Sequence, residues 1–112
     1  MSKFDEAVSY YTDALSSIGV KVDATVLTGV AKGLGPSIYL KDASLVSCTD
    51  QVELDRVKNN FLIGKLGLTD GPELDAALKA VCEKTSSLRM KPRAAFYYLL
   101  VMHFNKQGNY GG

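Results

Sequence analysis

The chain carries one histidine, His103, and two cysteines, Cys48 and Cys82. Thiol catalysis needs a thiolate with a base in hydrogen-bond reach, so the smallest possible machinery is one cysteine with His103. Cys48 precedes Thr49 and Asp50, where a helix begins by its capping pattern, and a helix N-terminus lowers a thiol pKa. Cys82 falls on the apolar face of another helix, which suits an inert buried thiol. Cys48 with His103 is therefore the thiol-enzyme alternative. One histidine and two distant cysteines match no metal-ligand spacing, so neither a metal nor another cofactor is expected.

A second kind of chemistry is anion binding. Lys84, Ser86, Ser87, Arg89, Lys91 and Arg93 lie in one short stretch with no acid after Glu83. Pro92 opens a helix there, and free N–H groups at a helix start, joined by guanidinium and hydroxyl donors, can hold a phosphate or carboxylate. The bland reading of the same charges is a solvated surface. The glycines of residues 29–36 invite a phosphate-loop reading, yet they fit neither phosphate-binding spacing and sit at a helix end, where carbonyls repel anions. Tyr10, Tyr11, Tyr97 and Tyr98 recur at helical spacing and read as core residues rather than base-stacking platforms. With a sequence pI near 7.7, nucleic acid is not an expected partner.

Composition bounds what must position these groups. The 112 residues are 46% apolar and 22% charged, with a net charge of +1. That excludes a disordered chain, and two cysteines are too few for a disulfide scaffold. Residues 1–106 are expected to form a single helical domain and 107–112 a flexible C-terminal tail. Area scaling gives a folded surface of about 6,000 Å². The near-neutral total hides an asymmetry. Residues 1–50 carry four bases and six acids (−2), and 51–112 carry nine and six (+3). Asp5 and Glu6 stand near the start where a signal peptide has bases, and the longest apolar run, 94–102, is about half a membrane span. The expectation is a cytoplasmic protein with no membrane partner, in which both cysteines are free thiols.

Periodicity and caps supply the elements. Phe4, Val8, Tyr11, Leu15 and Ile18 share one helical face, with Ser2 as cap and Gly19 as the left-handed ending. Asp23 caps a second helix whose stripe is Val26, Leu27, Val30, Ala31 and Leu34, stopped by Gly33, Gly35 and Pro36. Between Ser37 and Cys48 a turn and a short helix capped by Asp42 are expected, with a small strand as the alternative. Asp50 and Glu53 form a capping box for a helix through Leu54, Val57 and Phe61 to Gly67. Pro72 opens another, with Leu74, Ala77, Leu78, Val81 and Cys82 inward. The last helix, from Pro92 to about Phe104, is apolar all round and belongs at the centre. The fold class is all-α: a compact array of about five to six short helices packed around that C-terminal helix.

The strings at 30–39 (VAKGLGPSIY), 42–48 (DASLVSC), 53–63 (ELDRVKNNFLI) and 96–101 (FYYLLV) resemble a small bacterial family, domain of unknown function 2853. The resemblance runs from about Lys3 to Phe104. It implies a compact, all-helical, single-domain protein and brings no activity, substrate or site residue. The sequence thus points to a non-enzymatic binding or protein-interaction module, with a protein or a second copy as partner. An anion-binding module at residues 84–93 and a thiol enzyme using Cys48 and His103 are the alternatives.

Overall fold

The first three helices start where a short side chain takes up free N–H groups. In the computed structural model, which describes residues 2–40 and 44–110, Ser2 accepts from Asp5 N and opens α1 (Lys3–Ser17). Gly19, at φ 82°, closes it: Gly19 N donates to Ser16 O and Val20 N to Leu15 O, the paired bonds of a Schellman ending. Asp23 caps α2 (Ala24–Leu34) through Thr25 N and Val26 N. Asp50 caps α3 (Gln51–Arg56), which continues as a π-helical stretch over Val57–Ile63. Pro72 opens α4 (Pro72–Lys84), and α5 spans Arg93–His103. Short 3-10 turns at Gly35–Tyr39 and Gln107–Tyr110 complete the order.

α5 is the axis. All eight residues from Ala94 to Val101 are buried, and α1, α2 and α4 pack around them. Tyr98 is fully buried, and its hydroxyl accepts from Asp23 N at 2.8 Å, so the one polar atom of that side chain ties the centre to the start of α2. The accessible surface, 6300 Å², is close to the value expected for the mass.

Between α2 and α3 the structure revises the expectation. Asp42, the proposed cap, lies outside the described residues. Leu45 makes a single antiparallel bridge with Pro92, so the alternative strand is reduced to one residue pair. Val46 N donates to Lys91 O (2.9 Å) and Arg93 N to Ser44 O (2.6 Å). Segment 44–46 therefore covers the start of α5, where Pro92 has no N–H to offer.

Glu53 does not close a capping box. It is buried and forms an ion pair with Arg93, whose guanidinium also donates to Leu45 O (3.2 Å) and to Tyr97 Oη (2.9 Å). Burial works against the Arg93 charge, but the contacts to Tyr97 and Glu53 outweigh it and hold its pKa above the ordinary arginine value. The expected free thiols are also corrected: Cys48 and Cys82 form a disulfide that ties the loop before α3 to the last turn of α4, with Cα atoms 5.9 Å apart. Folding brings together two residues 34 positions apart, which spacing alone does not disclose. Of the expected tail, residues 107–110 are described. The Gln107–Tyr110 turn packs on α2, and Tyr110 lies against Gly29, where an added Cβ would sit 3.1 Å from Tyr110 Cβ.

Two outcomes follow from these ties. Glu53→Gln strands a buried guanidinium and lowers stability by about 3 kcal/mol in urea unfolding, and Arg93→Met added to it recovers part of the loss; a loss below about 0.5 kcal/mol would mean that water reaches the pair. Reduction with dithiothreitol, or Cys48→Ser with Cys82→Ser, lowers stability by about 3–4 kcal/mol, the chain-entropy value for a loop of this length. Equal urea midpoints for oxidised and reduced protein would contradict the bond.

Candidate ligand cleft

The six basic and hydroxyl residues of 84–93 do not converge. Arg93 turns inward to Glu53, and Ser44 O accepts from the first N–H of α5. Arg89 and Lys91 line a shallow groove with Ser47 and Thr49, and Lys91 Nζ donates to Leu88 O at 3.2 Å. Ser86 and Ser87 are exposed beyond the end of α4. Lys84 instead lines an open cleft of about 440 Å³ with Lys21 and His103. Lys84 and His103 occupy the last turns of α4 and α5, where a cation complements the negative end of the helix dipole. An ion pair and a carbonyl thus occupy the Arg93 guanidinium and the first N–H of α5.

The thiol pair is also not assembled. The Cys48 sulfur is bonded to Cys82, and the disulfide lines a groove between α3 and α4 with Asp55, Lys58, Asp75 and Lys79. Lys58 is paired there with Asp75 at 3.3 Å and Asp70 at 3.8 Å. The hydrogen bond from Lys58 to Asp75 chiefly holds its ammonium above the ordinary lysine pKa. His103 lines the separate cleft beside Lys84. No group of three His, Cys, Asp or Glu gathers among the described residues.

The feature that sequence reading missed lies where α2, the π-helical stretch and α5 meet. A π-helical turn carries an extra residue per hydrogen-bonded ring and recurs at functional sites. Here Gly64 N donates to Asn59 O and Leu66 N to Phe61 O, both five residues back. Gly64 is needed for this geometry, since a Cβ there would lie 2.8 Å from Asn60 O. Phe61, on the widened stretch, stacks on Tyr97 with ring centroids 4.0 Å apart. Beside this pair is a cleft of about 210 Å³, walled by Val30, Leu34, Phe61, Tyr97 and Tyr110.

Burial orders the cleft from base to rim. Val30, Phe61 and Tyr97 are buried, Leu34 and Tyr110 half-buried, and Asn60 and Lys65 exposed. Burial pushes the Tyr97 phenol above its ordinary pKa against the pull of Arg93, and burial raises that of Tyr110. Both rings are neutral at pH 7. Among the described residues no carboxylate, thiol or imidazole lines the cleft, and Lys65 is the one formal charge. Val30, Leu34 and Phe61 read as ordinary core positions in the sequence. The available signal was Gly29 and Gly33, four residues apart and so on one face of α2, where they leave room for Tyr110.

A separate surface feature is aromatic. Tyr10 and Tyr39 are each 51% exposed and Leu40 is 58% exposed. Tyr10 and Tyr39 both lie close enough to Tyr11 for their phenols to join burial in raising its pKa. No helix among the described residues is long and apolar enough to cross a membrane.

Among curated proteins, none matches the chain. A family model described as "Protein of unknown function (DUF2853)" matches residues 9–108, from the middle of α1 through the end of α5 and into the Gln107–Tyr110 turn. The stretch that shapes the cleft and the Gly29 and Gly33 positions that admit Tyr110 all fall within that match, and the chain belongs to the DUF2853 family.

Proposed function

We propose that this protein is a non-enzymatic binding module whose ligand is a small apolar molecule seated beside Tyr97. The observation that carries this reading is the cleft of about 210 Å³ at the π-helical stretch, apolar at its base and polar only at its rim. Apolar protein cavities of about 150 Å³ take up benzene, so the volume suits a single ring or a short chain. Ligand sites are commonly concave and mostly apolar, with a few polar groups that set orientation. None of the lining side chains is a placed base or nucleophile, which favours binding over turnover. Titration with benzyl alcohol, followed by ¹H–¹⁵N NMR, should move the amides of Val30, Leu34, Phe61 and Tyr110 with a Kd on the order of 1 mM. Gly33→Leu keeps α2 helical, because Gly33 is exposed and the nearest atom to an added Cβ is Tyr110 Cε1 at 4.0 Å. That variant should fill the cleft and abolish the shifts. Shifts that persist in it, or that scatter over the surface, would end this reading.

The exposed Tyr10, Tyr39 and Leu40 favour a second reading, contact with a second copy of the chain. Tyrosine supplies large, rigid contact area, and a net charge of +1 leaves little repulsion between copies. Sedimentation velocity over a concentration series should then show a dimer that Tyr10→Ser with Tyr39→Ser returns to monomer. A chain that is monomeric at every concentration removes this reading.

A further inference from the structure

We infer that the ligand of the Tyr97 cleft carries a single carboxylate, held at the rim by Lys65 and Asn60 with its apolar body against Phe61, Tyr97 and Tyr110. The inference rests on the cleft being a ligand site and adds the chemistry of the head group. Among the described residues, Lys65 is the one charged residue lining the cleft, and it forms no salt bridge with any of them. Lys58, seven residues earlier, shows the contrast, since it is paired with two aspartates. Asn60 is exposed beside the same cleft and supplies amide donors. The two tyrosines are neutral, so nothing in the lining repels an anion.

The rim also sets the amount of charge. Nearby backbone carbonyls are already satisfied: Lys32 O accepts from Gly35 N, Asn59 O from Gly64 N, and Ile63 O from Gly67 N. They therefore oppose an anion less than open helix ends would. One lysine and one amide match a monoanion. A phosphate dianion calls for an arginine fork or a helix N-terminus, and the lining contains neither. The Arg93 guanidinium is bound to the Tyr97 hydroxyl and to Glu53 and is not among the groups lining the cleft, so it does not serve as that fork.

The test compares probes that share an apolar skeleton and differ in the head group. Phenylacetate should bind about tenfold more tightly than 2-phenylethanol, the size of one charge-assisted hydrogen bond. Hexanoate against hexanol tells whether the body is a chain or a ring, and a preference for the acid in either pair supports the proposal. Lys65→Gln should remove the preference while the alcohols bind as before, and Lys65→Arg should keep it. Equal affinity of acid and alcohol for the wild-type protein, or a preference that survives Lys65→Gln, overturns the carboxylate and leaves the cleft standing. Tighter binding of phenyl phosphate than of phenylacetate also overturns it. If neither acids nor alcohols bind, both the carboxylate and the cleft reading fail.

Discussion

A helix that is apolar on every side must be covered on every side, and α5 sets this condition for the rest of the molecule. Eight consecutive buried residues, Ala94 to Val101, leave no direction in which α5 can face water. Its flanks are covered by α1, α2 and α4. Its start poses a separate problem. Pro92 has no N–H, and the following arginine would bring a charge into the same apolar region. Segment 44–46 answers with backbone bonds to residues 91–93, and Glu53 answers with its carboxylate. The cation is kept near the core because its partners are there too.

That arrangement explains why a run of bases close in sequence is not gathered into one place. Lys84, Arg89, Lys91 and Arg93 follow each other closely in sequence, but the end of α4, a loop and the start of α5 point them in different directions. Arg93 reaches Glu53 and Tyr97, and Tyr97 stacks on Phe61. The structural ion pair is therefore linked, through the Tyr97 hydroxyl, to a wall of the cleft. It fixes the orientation of the Tyr97 ring without placing a charge inside the cleft, and the base of the cleft stays apolar.

The π-helical stretch and Tyr110 complete the cleft from opposite sides. The stretch widens the helix that bears Phe61, and Gly64 tolerates the close carbonyl that the widening brings. Gly29 and Gly33 lower the facing side of α2, so Tyr110 can lie against it. Glycine normally weakens a helix by about 1 kcal/mol relative to alanine. Two of them four residues apart inside α2 are accounted for by this close approach. The glycines read at first as a helix stop therefore have two roles, since only Gly35, at φ 63°, ends the helix.

What the sequence determined by itself is the set of helices. Ser2, Asp23 and Asp50 cap, Gly19 and Gly67 terminate, and the apolar stripes of α1, α2 and α4 turn inward, because these effects act within about four residues along the chain. The all-round apolar character of 94–101 likewise told where the centre is. Tertiary structure decided everything that depends on distance through space. Asp23 meets Tyr98 across 75 positions, Glu53 meets Arg93 across 40, and Cys48 meets Cys82 across 34. Local spacing carries no information about such meetings. For that reason a presumed capping glutamate became the counterion of a buried arginine, two presumed thiols became a bridge, and Tyr110 came to lie against Gly29.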